Sequence, residues 1–386
     1  MRRAPIALAL LVLALAARQV LDVPPQPGVQ LAPWVPADTA ADEVDEAPAL
    51  VGSWRRAAAE PESAPVGDVD VCGYGTVTPA DDDYSGLLSV PGLRRNAALQ
   101  VARARLLASA DEAVRAAGLL ISGDGERLAI EAAASRHPAV YAMALQSCRQ
   151  AAAPACALLS VEQWARLDAG NAVPWLALAA AAAQRGDAAG EADAMGRAAM
   201  AGRFESPASR LPVLIDRGLG PHAPALPRTL ALLAGWQAQA NWDDAAGPQA
   251  MRHCAPEAPP GRRPLCEVLA RQLVSHASRV EDFAAGVALA GQLGWPPAQL
   301  QALQLEADAL SEAARLQTML TDLSCDSVER VQQWRVALGE QGEVLAARAL
   351  LARSGFDTGW WSAQHRKNLA LALAAAEAAG AAPALP

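Results

Sequence analysis

The stretch "NAVPWLALAAAAAQRGD", residues 171–187, decides the fold. Trp175 is followed by a run of leucine and alanine that stops at Gly186-Asp187. Alanine is the strongest helix former because it loses no side-chain entropy on ordering. Leu178 and Ala179 fall three and four residues after Trp175, on one helix face. Gly186 ends that helix, and a second helix follows with Ala194 and Ala198 on its packing side. Small residues allow close approach of the two helices, and the tryptophan fills the wedge between neighbours.

The same pattern continues on both sides. From Arg94 onward helical periodicity runs almost unbroken, in segments such as 94–122, 206–217, 224–240 and 297–321. Stop signals separate them. In "LGWPP", residues 293–297, Gly294 takes the helix-ending conformation and Pro296 or Pro297 opens the next helix. Successive helices with short turns pack antiparallel. The expected fold is therefore all-α, built of stacked antiparallel hairpins.

The 171–202 hairpin resembles a tetratricopeptide repeat, whose pattern Trp175, Leu178, Ala179, Gly186 and Ala198 match. Two positions depart from it: Ala182 stands where tyrosine is usual and Glu191 where alanine is usual. The resemblance implies a TPR-like α-solenoid, an architecture whose extended surface binds proteins or peptides.

Charge divides the 386-residue chain. Residues 38–83 hold 12 acids against Arg55 and Arg56, within a net charge of −9 for the whole. The helical body is close to neutral and offers nothing for a phosphate backbone, so nucleic-acid binding is excluded. The start, "MRRAPIALALLVLALAARQ", has two arginines and then 14 apolar residues, Ala4 to Ala17. That is short for a membrane span, for which about 20 residues are needed, and fits a secretory signal. An uncleaved anchor, with Arg18 reaching back to the interface, is the alternative. Residues 1–22 are thus a signal or anchor and the only membrane contact, 23–83 a disordered acidic Pro-rich linker, 84–380 the helical domain and 381–386 a tail. A short helix around Trp54 is the one docking candidate in the linker.

An even set of six cysteines in an exported chain points to disulfides. Locality favours Cys148–Cys156 and Cys254–Cys266, leaving Cys72 for Cys325. Zinc is disfavoured because no close Cys pair stands beside His253 and Cys254. Asp81, Asp82 and Asp83 lack the alternation of a calcium loop and read as a solvated turn. No HExxH, GxSxG or phosphate-loop pattern occurs, so no catalytic residue, cofactor or metal ligand is singled out. "GWWSAQHRK", residues 359–367, supplies the partner-binding candidates Trp360, Trp361 and Arg366, with capping of the last helix pair as the alternative role. The function expected is a helical-repeat protein that binds a protein or peptide partner in the periplasm of a Gram-negative bacterium, soluble or tethered to the inner membrane. A helical enzyme acting on an envelope glycan and a purely structural envelope protein are the alternatives.

Overall fold

The computed structural model describes residues 69–77, 96–242, 246–255, 260–318 and 322–378. The signal or anchor, the linker before Val69, the Trp54 helix, Asp81–Asp83 and the tail 381–386 lie outside them. What is described is helical apart from one small hairpin, an all-α fold.

Capping residues cut the chain into short helices. The segment 94–122, expected as one helix, is two: α1 (Ala97–Leu107) and α2 (Glu112–Ser122). Asn96 caps the first, and the Asp111 carboxylate accepts from the amides of Ala113 and Val114 to start the second. A carboxylate aimed at unpaired N–H groups nucleates a new helix more readily than it sits inside an old one. Asp124 opens α3 (Gly125–Ala134), Pro138 begins α4 (Pro138–Gln150) and Ser160 caps α5 (Val161–Leu167).

The quoted stretch forms α6 (Ala172–Gln184), and α7 (Ala188–Met200) packs on it as the expected hairpin. Gly186 takes φ +71°, the left-handed turn for which glycine has no steric cost. Trp175 is buried, Ala179 and Ala198 are closed to solvent, and Leu178 is half-buried against the core.

The segment 206–217 also differs from expectation. It starts as a tight turn, Pro207–Arg210, that gives way to α8 (Leu211–Leu219). Then follow α9 (Ala225–Ala240), α10 (Ala246–His253), α11 (Arg263–His276), α12 (Val280–Gln292) and α13 (Pro297–Thr318). The series ends with α14 (Cys325–Gln341), α15 (Glu343–Ser354) and α16 (Thr358–Ala378).

Contacts are not confined to sequence neighbours. Helix α9 lies against α1, α8 against α2, and α14 against α8, so the chain folds back on its beginning. Helices α13 and α16 lie against each other: Asp308 accepts from Ser362 and Glu312 from Asn368. Two apolar cores result. Helix α14 serves both, giving Val328 and Val331 to one and Trp334 and Leu338 to the other.

The linker expected to run to residue 83 contains ordered structure. Strands β1 (Val69–Val71) and β2 (Gly75–Val77) pair antiparallel. Val71 is fully buried, the Cys72 amide donates to Leu323 O at 2.9 Å, and Cys72 is bonded to Cys325. Gly73 has φ +78°, and a Cβ there would stand 2.3 Å from the Leu226 amide nitrogen. Only glycine lets the hairpin tip lie on the start of α9. A disulfide, one buried valine and that close approach outweigh the polar composition. Cys148–Cys156 and Cys254–Cys266 are also bonded, and no cysteine is free.

Candidate functional site

A cleft of about 260 Å³ opens where the α7–α8, α11–α12 and α14–α15 connections meet. Its construction starts from Asn171, the first residue of the quoted stretch. Asn171 is buried and caps α6 through its Oδ1, which accepts from Val173 N. The same oxygen accepts from Glu205 N, and Nδ2 donates to Glu205 O and to Asp168. With Ala172 N donating to Arg203 O at 2.9 Å, this holds residues 203–205 extended beside α6. On the other side Ser278 N donates to Phe204 O at 3.1 Å, and Ser278 O accepts from the amides of Glu343 and Val344. One extended strand thus links the starts of α6, α12 and α15, and the cleft lies over that junction.

The lining is polar and nearly neutral. Arg203 pairs with Asp168 at 2.8 Å and Glu205 at 2.9 Å, and Arg210 shares Glu205 at 3.2 Å. Arg348 pairs with Glu306 at 2.8 Å and lies 5.6 Å over the Phe283 ring. Burial works against the Arg203 charge, but Glu205 and Asp168 overcome it and raise its pKa. Every cation here therefore has a carboxylate, which removes the net field that would gather anions. Leu345, 54% exposed, is the apolar lip. The walls are backbone edges, hydroxyls and paired guanidinium groups, a surface that hydrogen-bonds without demanding charge.

The residues singled out from sequence lie elsewhere. Trp175 packs, and its indole N–H donates to Ala169 O at 3.0 Å while Arg197 of α7 covers the ring at 5.1 Å. Trp361 is buried and donates to Ser354 Oγ at 3.0 Å. Arg366 turns back to Ser362 Oγ at 2.8 Å and to Asp308 at 3.5 Å. Of that trio Trp360 alone presents a large apolar surface, 39% exposed, stacked on Phe356 with centroids 4.2 Å apart.

Two buried charge clusters brace the body. Glu191 accepts from Arg262 at 2.7 Å and meets His253 Nδ1 at 2.8 Å, next to the Cys254–Cys266 bridge. The carboxylate thereby pins α7 to α10 and to the segment after it. Glu312 accepts from Arg315 and Asn368 and lies 3.8 Å from His365. Burial pushes its carboxyl upward, but the adjacent His365, the bonds from Arg315 and Asn368 and the Arg315 charge hold it at about 2.

The cleft has no contiguous signature in the sequence, because its pieces are 202–210, 275–278 and 338–348, each short and without a motif. The signal present was local: an asparagine ahead of an apolar run, and glycines at 339 and 342. No family model, curated protein or solved structure matches the chain.

Proposed function

We propose that the protein is an exported helical-hairpin scaffold that holds a protein or peptide partner in this cleft. The observation that carries the reading is the cleft itself: about 260 Å³, lined by hydrogen-bonding groups whose guanidinium charges are already paired, with Leu345 exposed at its lip. Whole cofactors and small substrates occupy pockets of roughly 300–1,000 Å³. A smaller recess suits one or two anchoring side chains of a larger partner. The α6–α7 hairpin, with its tryptophan wedge and small-residue seam, supports a TPR-like stacked architecture.

Export is the second half of the proposal. Its support is the basic-then-apolar start and three disulfides among six cysteines, which persist in an oxidising compartment such as the periplasm. Attachment to the inner membrane would be through the N-terminal segment.

A photo-reactive residue placed at Leu345 in the full chain, expressed in a Gram-negative host envelope, tests the binding site. A discrete adduct is expected from position 345 and not from Leu158, an exposed apolar residue distant in sequence from the cleft segments. Equal labelling from both positions, or none from 345, overturns the assignment.

A further inference from the structure

The arginines that line the cleft are each matched by an acid, and the matching leaves one lining carboxylate over. Arg203 meets Asp168 and Glu205, Arg210 shares Glu205, and Arg348 meets Glu306. Glu340, in the last turn of α14, also lines the cleft and is exposed. Among the described residues its carboxylate has no ion pair and no hydrogen-bond donor. With His276 neutral, the lining and its partners thus set three arginines against four carboxylates.

The backbone leans the same way. The amides at the start of α12, at the start of α15 and in the turn before α8 are covered from within. Val280 N donates to Glu343 Oε2 at 2.9 Å, Ala208 N to Ser206 Oγ at 3.2 Å, and Glu343 N and Val344 N both donate to Ser278 O. The end of α14 is not covered. Gly342 N donates to Leu338 O, and past it the carbonyls of Gly339, Glu340 and Gln341 receive no donor among the described residues. Carbonyls in a last turn point along the helix axis, out of its end, and carry its partial negative charge. Around this cleft donors are consumed and acceptors are left over. Its apolar lining is Phe204, Leu338 and Val344, all buried, with Leu345 exposed at the lip.

We propose that the group seated in the cleft is a basic side chain, lysine or arginine, from a peptide segment of the partner. The assignment rests on the cleft being the partner site and adds the partner's chemistry to it. A basic side chain has an apolar stem and a cationic head, which is the division of this lining. The stem lies along Leu345 and the apolar residues below it. The head donates to the α14 carbonyls and takes Glu340 as its counter-ion, a charge-assisted contact that a neutral side chain cannot make. An acidic side chain would meet the surplus carboxylate and the same carbonyls, and a purely apolar one would cover those acceptors without bonding them.

The test uses the full-length protein with a photo-reactive residue at position 345, or at 158 as the reference, and blocked pentapeptides that differ only in a central Lys, Arg, Glu or Leu. Adduct yield at 345 relative to 158 should be highest for the lysine and arginine peptides. It should fall about threefold or more in Glu340→Gln, in keeping with one partly exposed ion pair, and fall further as ionic strength rises. Glu340 is exposed, so Glu340→Gln should melt as the parent does. Yields at 345 that are equal or higher for the glutamate or leucine peptide, or a basic-peptide yield unchanged by Glu340→Gln, overturn the basic assignment and leave the cleft as a binding site. No adduct above the reference with any of the four peptides removes the cleft reading, and this assignment with it.

Discussion

Two tryptophans that neighbour each other in sequence should answer the same substitution differently. Trp175 and Trp164 are both buried, yet the Trp175 indole N–H donates to Ala169 O at 3.0 Å while the Trp164 N–H is buried without a partner. Replacing Trp175 by Ala removes a large core side chain, which costs about 3–5 kcal/mol. The hydrogen bond and the Arg197 cover over the ring place the value at the upper end, about 5 kcal/mol. For a body of this size each kcal/mol moves the melting point by roughly 2 °C, so Trp175→Ala should lower it by about 8–10 °C. Phenylalanine separates shape from hydrogen bonding. At 175 it forfeits the bond and some volume, about 1–2 kcal/mol. At 164 the lost volume is offset by relief of an unsatisfied donor, itself worth about 1–3 kcal/mol, so the net change should be near zero. Differential scanning calorimetry of the three variants decides it. A Trp175→Ala melting point within a degree of the parent would show that this residue is not a packing wedge. Equal losses for the two phenylalanine variants would refute the hydrogen-bond argument.

Glu191→Ala should destabilise by about 1–3 kcal/mol in urea unfolding, because the partly buried Arg262 and the buried His253 then lose their shared acid; a neutral or stabilising result would show that the cluster is dispensable. Glu312 has a pKa lowered from 4.5 to about 2, so its stabilising contribution is complete above the unfolded value and is lost as pH falls from about 5 toward 2. The melting temperature should therefore drop more steeply across that window in the parent than in Glu312→Gln, and parallel curves would contradict the assignment. Loop-closure entropy assigns about 5 kcal/mol to Cys72–Cys325 and about 2.5 kcal/mol to Cys148–Cys156, from separations of 253 and 8 residues. Paired serine variants should melt in that order, and the reverse order would show that the hairpin clasp does not constrain the unfolded chain.

Helices were legible in the sequence wherever the stop was chemical. Gly186 and Gly294 take positive φ where the turns were expected, and the two local disulfides follow from cysteines flanking an interhelical loop. The division of 94–122 is not legible in the sequence because Asp111 is an ordinary polar residue there, and only the fold shows its carboxylate accepting from two amides. The hairpin at 69–77 is not legible locally because its stabilising partners, Leu323, Cys325 and Leu226, are at least 149 residues away. No local composition reveals them.

The choice of helix partners has a physical reason for being illegible. In a chain so rich in alanine and leucine, one apolar face resembles another, and burial alone would accept several pairings. Uniform cores specify a unique arrangement poorly. What distinguishes the observed pairings is a small set of buried polar groups that are satisfied in one arrangement. Gln332 accepts from Trp236 Nε1 and donates to Pro212 O, which sets α14 against α8 and α9. Asp308 with Ser362, and Glu312 with Asn368, set α13 against α16. Gly247 N bonded to Asp282 sets α10 on α12, and Asn171 holds the strand beneath the cleft. A slip of one turn in any of these would bury an amide or a carboxylate without its partner, a penalty of about 1–3 kcal/mol or more for a charged group. Apolar periodicity thus determines that helices form, while a few polar residues determine which helices meet. The cleft, which exists only where three such junctions coincide, inherits that dependence.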